Sequence, residues 1–398
     1  MKKHFLYVLG AISLIVKSCG TGQETIDALI EARLDHSVEQ YKLMALSLID
    51  QPDRLPRSLD AEGNLVTSNT SWWCSGFLPG SLWYLYEYSK SDDLLEYART
   101  YTARVENEKY NRGTHDLGFI LYCSFGNGYR LMGDTAYRSV MLIGAESLIS
   151  RFNPIVGCIR SWDHNRHLWQ FPVIIDNMMN LEFLFWASKV SGDPKFRDIC
   201  ISHADVTMKH FFRDDYSTYH VVSFDPESGL PEVKNTHQGY SDDSAWARGH
   251  AWGFYGLVVM YRETGDTKYL EQAKKLVDFM INHPNMPDDK IPYWDFDAPD
   301  IPNALRDASA AAIMASALIE FSGFMNEELA KKYLEVAETQ IRTLSSPEYF
   351  AEKGTNGNFI LKRGVGHLPA NSEIDVPLSY ADYYYIEALM RYRALKSK

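Results

Sequence analysis

Two short segments hold an aspartate where a carboxylate has chemical use. One is Thr114-His115-Asp116-Leu117-Gly118-Phe119, and the other is Phe171-Pro172-Val173-Ile174-Ile175-Asp176-Asn177-Met178-Met179-Asn180. An aspartate at a helix start is ordinarily a surface charge favoured by the macrodipole. Asp176 fits that role badly, because Phe171 to Met179 is mostly apolar and would bury it. Burial without a partner favours the protonated carboxyl, and a second carboxylate nearby favours it further, whereas a helix N-terminus opposes both. Where burial and like charge prevail, the group is a general acid near neutral pH.

Flat side chains and donors accompany the two aspartates. They lie in Asn69-Thr70-Ser71-Trp72-Trp73, in Arg160-Ser161-Trp162-Asp163-His164, and in Thr236-His237-Gln238-Gly239-Tyr240 running on to Trp246-Ala247-Arg248-Gly249-His250-Ala251-Trp252. Indoles stack on flat rings, and a guanidinium takes a carboxylate with two parallel hydrogen bonds. Trp246, Arg248 and Trp252 within one helix start therefore suit a flat anionic ring. A tryptophan stripe alone is more often core; with Arg, His and Gln at a loop–helix junction it points to a ligand.

These residues need a frame, and the frame reads as helical. Apolar residues recur at i, i+3 and i+4 over Glu24–Ile49, with Ile26, Leu29, Ile30, Leu34, Val38, Tyr41, Ala45 and Leu48 on one face. The same signal predicts helices over Leu78–Tyr88, Leu94–Glu106, Leu117–Leu131, Ala136–Ser150, Val173–Val190, Phe196–Phe211, Trp246–Arg262, Lys268–Ile281, Asp307–Phe321, Glu327–Leu344 and Tyr380–Leu395. Strand signals are confined to Tyr219–Phe224 and Phe359–Lys362. Ser91-Asp92-Asp93, Gly133-Asp134-Thr135, Gly192-Asp193-Pro194, Gly265-Asp266-Thr267 and the weaker Met325-Asn326-Glu327 each end one helix and start the next. In the middle three, Gly closes the first helix and Asp caps the second. The spacing of these junctions is irregular, unlike a tight solenoid repeat. Twelve helices in six hairpins, with long loops at one end, predict an all-α fold, an (α/α)6 barrel. No Pro-, Gly- or Ser-rich linker interrupts residues 21–398, so one domain is expected there. Asp116 and Asp176 are about one helix pair apart, which places both at one barrel mouth.

Composition narrows the classes. Of 398 residues, 45% are apolar and 23% charged, which excludes a disordered chain, a collagen and a multi-span membrane protein. Lys and Arg number 40 against 52 Asp and Glu, a net charge of −12, so no nucleic-acid partner is expected. Aromatic residues make up 13%, which suits either a large core or a cleft that stacks sugar rings. Met1-Lys2-Lys3-His4 followed by the apolar run Phe5–Val16 fits a signal peptide and is too short for a bilayer span. Ser18-Cys19-Gly20 resembles a bacterial lipoprotein cleavage box with Cys19 as a lipid anchor; an ordinary signal peptide cut nearby is the alternative. Either way residues 1–20 stand apart from the fold, and the chain is expected to be exported to the bacterial periplasm. Cys74, Cys123, Cys158 and Cys200 show no metal-ligand spacing and read as buried small hydrophobes, although export would allow a disulfide.

The motifs as a set resemble the unsaturated glucuronyl hydrolases of glycoside hydrolase family 88. They are His115-Asp116-Leu117-Gly118-Phe119, Ile174-Ile175-Asp176-Asn177-Met178-Met179-Asn180-Leu181, Thr236-His237-Gln238-Gly239, Trp246-Ala247-Arg248-Gly249-His250-Ala251-Trp252-Gly253, Tyr293-Trp294-Asp295-Phe296, Arg306-Asp307-Ala308-Ser309-Ala310 and Asp382-Tyr383-Tyr384-Tyr385. With Trp72 they span residues 69–390 in family order. The resemblance implies an enzyme that removes the 4,5-unsaturated uronic acid from oligosaccharides left by polysaccharide lyases, with no metal or organic cofactor. It places the acid/base role on Asp176 and the second essential carboxylate on Asp116. It places substrate binding on Trp72, His115, Trp162, His220, Lys234, Thr236, Gln238, Trp246, Arg248 and Trp252. Lys234 stands where the family often has Gly, and His250 where several members have Gln, which bears on the leaving sugar rather than on the reaction. The implied chemistry is hydration of a vinyl ether: a proton from Asp176 to C4, then water to C5, with Asp116 holding ring hydroxyls and stabilising the cationic transition state. Two rivals stand beside this reading. One is an unsaturated rhamnogalacturonyl hydrolase of the same fold. The other is a non-catalytic glycan-binding lipoprotein, which would need the aromatics and arginine but not two mouth aspartates.

Overall fold

The computed structural model describes residues 24–396, so the expected leader and Cys19 lie outside the described residues. Helix α1 (Ile26–Ser47) is followed by a hairpin of β1 (Leu55–Leu59) and β2 (Leu65–Ser68). Then come α2 (Phe77–Ser89), α3 (Asp92–Arg104), a π-wound segment Gly118–Gly126 continuing as α4 (Asn127–Met132), and α5 (Thr135–Ile149). The two-residue strands β3 (Phe152–Asn153) and β4 (Cys158–Ile159) pair with each other. Strand β5 (Phe171–Ile174) leads through a 3₁₀ segment, Ile175–Asn180, into α6 (Leu181–Ser191) and α7 (Pro194–His210). Strands β6 (Val221–Phe224) and β7 (Pro231–Asn235) complete an antiparallel sheet with β5. The rest is α8 (Ala247–Thr264), α9 (Thr267–Asn282), α10 (Ala308–Ser322), α11 (Glu327–Leu344), the hairpin β8 (Gly364–His367)–β9 (Ser372–Val376), and α12 (Ser379–Lys396).

The ring closes in space. Inner elements α2, Gly118–Gly126, α6, α8, α10 and α12 each touch the next, and α12 returns to α2. Helices α3, α5, α7, α9 and α11 lie outside as hairpin partners, and α1 backs α12. Sequence explains which helix goes inside. Helix α10, Ala-Ser-Ala-Ala-Ala-Ile-Met-Ala-Ser-Ala-Leu-Ile-Glu-Phe-Ser, is buried on nearly all faces, and its small residues let neighbours approach. Helix α9 buries one stripe only, from Tyr269 to Ile281. The hairpin turns are capped as expected. Asp134, Asp193 and Asp266 accept from the backbone N–H two residues on, and Asn326 from that of Leu329. The closing glycines Gly133, Gly192 and Gly265 have φ of 65°, 77° and 69°, the left-handed C-cap that a Cβ disfavours.

Two expected helices start differently. Val173–Val190 is α-helical only from Leu181, after the 3₁₀ segment Ile175–Asn180; Phe171–Ile174 is strand. A Pro followed by β-branched Val and Ile favours extended backbone, and this fully buried strand shows no alternation to betray it. Leu117–Leu131 winds first as a π-helix, an irregularity that recurs at functional sites. Phe359–Lys362 makes a single bridge, Phe350 to Leu361, instead of a strand. Cys74, Cys123, Cys158 and Cys200 are buried free thiols. All long loops lead into the inner helix starts, so they gather at one end of the barrel, opposite the short Gly-Asp turns.

Candidate active site

At the long-loop end lies a cavity of about 330 Å³. Asp116 and Asp176 both line it, with Trp72, His115, Trp162, Gln238 and Arg248. The two aspartate segments are tied together by short-range chemistry. Asn180 Oδ1 accepts from Gly118 N–H at 2.9 Å, and a Cβ on Gly118 would fall 2.5 Å from that oxygen. Ser161 accepts from His115 N–H through its carbonyl, gives its own N–H to Pro172 O, and accepts from Ile174 N–H through Oγ.

Asp176 occupies the first turn of the 3₁₀ segment and is 8% exposed. Its Oδ2 has no hydrogen-bond partner within the protein. Burial pushes its carboxyl up to about 7; the Arg248 charge opposes this and the Asp116 charge adds to it. Asp116 precedes the π-wound segment. It accepts from Thr114 Oγ1 at 2.7 Å and lies 3.2 Å from His115 Nε2. His220 Nδ1 accepts from the backbone N–H of His237 and Gln238, both at 3.1 Å. The ring proton is thereby assigned to Nε2, which faces Asp176 Oδ2 at 3.7 Å. Burial holds His220 well below its ordinary pKa, so it is neutral there.

Five expected binding residues stand behind or beside the cavity and do not line it. Trp252 is fully buried, with ring centroids 5.1 Å from Phe119 and from Tyr384; it is core, because its helix face turns into the ring. Trp246 is 3% exposed and lies between His220 and Arg248. His220 acts from the next layer, as described. Thr236 Oγ1 accepts from Gly239 N–H and shapes the loop. Lys234 is exposed on β7, its ammonium 5.2 Å from the Tyr219 ring.

Arg248 lines the cavity, and three of its five N–H donors go to protein acceptors. Nη1 bonds Asp307 and Val365 O, and Nη2 bonds Gly366 O. Asp307, fully buried, also caps α10. Arg248 thus fixes the β8–β9 hairpin as a wall of the cavity. The other motif aspartates are likewise structural. Asp295 accepts from Tyr240, Ser244 and Asp297, and Asp382 from Tyr41, Ile360 and Leu361.

The cavity also contains Arg57, Trp73, His164, His237, His367, Glu373 and Tyr380. Trp73, His164 and His237 sit inside the aromatic runs singled out above. Glu373 and His367 belong to the β8–β9 hairpin, and Arg57 carries no local signal. Tyr380 Oη is buried with no partner.

Residues 51–394 match the family model Glycosyl Hydrolase Family 88. The chain belongs to glycosyl hydrolase family 88. An unsaturated glucuronyl hydrolase of Formosa agariphila is 46% identical over 341 residues, 85% of this chain and 84% of that protein. The crystal structure of an unsaturated glucuronyl hydrolase specific for heparin superposes with a TM-score of 0.91 at 47% identity, covering 94% of this chain and 99% of the other. A variant unsaturated glucuronyl hydrolase of Streptococcus agalactiae in complex with dGlcA-GalNAc6S matches at a TM-score of 0.78 and 28% identity, over 92% of each chain. As a family 88 protein with two carboxyls in one cavity, the chain is a glycosidase of the unsaturated glucuronyl hydrolase type.

Proposed function

We propose that the cavity releases the 4,5-unsaturated uronic acid from the non-reducing end of lyase-generated glycosaminoglycan-type oligosaccharides, with Asp176 as the acid and base and Asp116 as its partner. The observation that carries the assignment is Asp176 itself: a buried carboxyl beside a second one, its outer oxygen unpaired and its pKa raised to about 7. At neutral pH a large fraction holds a proton to give. That proton goes to C4 and the alkene electrons form the new C–H bond. Positive charge develops at C5, shared with the ring oxygen, beside the Asp116 carboxylate. Water adds to C5 and gives a proton to the Asp176 carboxylate, which restores the acid. The hemiketal opens to a ketone at C5, leaving a hemiacetal at C1 that collapses and expels the next sugar. One water is consumed, and no bond to C1 is attacked directly, unlike the acid–nucleophile pair of ordinary glycosidases.

The loop aromatics Trp72 and Trp162 supply faces for the sugars, and His115 and Gln238 supply polar edges. Turnover in heavy water tests the scheme. Deuterium at C4 of the released sugar, with loss of the alkene ultraviolet absorbance, is the expected result. A released sugar that keeps its alkene and carries no label would overturn it. We further propose export with a lipid on Cys19. A fatty-acylated N-terminal Cys19 by mass spectrometry is expected, and a mature protein starting elsewhere would refute the anchor.

A further inference from the structure

Glu373 is a cavity carboxylate for which the hydration scheme has no task. Its Oε1 accepts from Arg57 Nε at 2.6 Å, joining β9 to β1, and the two side chains are 12% and 24% exposed. The Arg57 guanidinium lies 4.3 Å from the Trp72 ring centroid. Glu373 is held at φ 56°, between Asn371 at 51° and Asp375 at 53°. Three non-glycine residues in the left-handed region within five positions persist only when the surroundings impose them. Gly366, across the hairpin, makes room: a Cβ there would lie 2.4 Å from Glu373 Oε2. The carboxylate therefore lies over the strand whose carbonyl is held by Arg248 and Gln238, inside the cavity wall.

The cavity has an order of depth. Asp176 and His115 are buried at its floor, Arg57 and Glu373 are half-buried, and Trp72 is exposed. A terminal uronate with its alkene at Asp176 occupies the floor. The sugar bonded to it then lies toward the mouth, where the ion pair is among the half-buried groups lining the cavity.

We infer that the Arg57–Glu373 pair sets the charge accepted on the sugar next to the uronate. Together the two side chains make a wall with no net charge that still offers carboxylate oxygens to hydroxyl or amide N–H donors. A sulfate ester on that face would meet Glu373 as a like charge, while Arg57 is already engaged. The inference rests on the proposed function and gives it a leaving-sugar preference, unsulfated over sulfated at this position.

The test uses the full chain and two substrates: an unsaturated uronyl–N-acetylhexosamine disaccharide and its 6-O-sulfated counterpart. The measured quantity is the ratio of kcat/KM, sulfated to unsulfated. Glu373→Gln should raise that ratio about tenfold, since it frees Arg57 and removes the repelling charge. Arg57→Gln should lower it by a similar factor, and Arg57→Lys should hold it near the parent value. If the pair were only a latch between two hairpins, Glu373→Gln and Arg57→Gln would shift the ratio in the same direction. That outcome, or a change under twofold in both, overturns the inference. Absence of turnover of either disaccharide by the unaltered enzyme would instead sink the assignment of the cavity.

Discussion

The barrel has a cavity at each end, and they are furnished in opposite ways. At the short-turn end a space of about 450 Å³ is lined by Tyr84, Glu182, Tyr255, Glu387 and Arg391 among others. Its charges answer one another. Glu387 accepts from Tyr84, Tyr255 and Ser316, Arg391 pairs with Glu320, and Arg262 bridges Glu182 and Glu320. At the long-loop end, Asp176 Oδ2, His220 Nε2, His115 Nδ1, Trp162 Nε1 and Tyr380 Oη are buried without hydrogen-bond partners. Unpaired buried polar groups are costly and need a reason. The larger cavity is lined by ion-paired charges; the smaller keeps its valences for a ligand. Phe119 lines both and stands between them.

The largest expected effect breaks the contrast at its centre. Asp176→Asn keeps the shape but cannot exchange a proton, so kcat/KM should fall by about 10²–10⁴-fold or more with substrate still bound. Full activity in a folded variant would remove Asp176 from the chemistry. The pH profile sharpens the same point. Acting first as an acid, Asp176 must be protonated, so kcat/KM should decline as pH rises through about 7. Stability should move the same way. The native carboxyl keeps its proton between the ordinary 3.8 and about 7, where the unfolded chain has lost it, so stability falls with rising pH across that window. Asp382, also raised to about 7 by burial, adds a like share, and Asp176→Asn should remove only one of the two.

Next in size, Arg248→Ala leaves Asp307 buried and uncompensated. Breaking such a pair costs about 3–5 kcal/mol, read as a lowered Tm or denaturation midpoint. An unchanged midpoint with reduced substrate binding would make Arg248 a substrate anchor rather than a structural pair. At the other cavity, Glu387→Gln should lose about 1.5–3 kcal/mol of stability, the range for hydrogen bonds to a charged group, while kcat/KM stays within about twofold. A large kinetic loss there would erase the distinction between the two ends. Smallest of all, Lys234→Ala on the exposed strand should change stability by less than about 0.5 kcal/mol and leave kcat/KM nearly unaltered.

What was legible in the sequence follows from range. The helices and their Gly-Asp junctions are local signals, and the ring follows from counting them. Asp116 and Asp176 were legible because an apolar run around a carboxyl is itself informative. Direction was not. Trp252 and Arg248 belong to a single helix start, yet one faces the core and the other a hairpin more than a hundred residues away. Arg57 met Glu373 across 316 residues, and no pattern near either announces the other. The β5 strand was hidden because a fully buried strand and a buried helix share one apolar signature.

The seam where α1 backs α12 has a consequence for synthesis. Tyr41 on α1 donates to Asp382 on α12 at 3.0 Å, across 341 positions. A ribosome makes α1 first; α2 and α3 give it neighbours early, but the face of α12 that it also covers arrives last. Through most of elongation the part of α1 that faces α12 therefore lacks its partner. A circular permutant that joins α12 to α1 through a short linker and opens a Gly-Asp turn would give α1 its partner from the start. It should refold faster, because its longest loop closure becomes a local one.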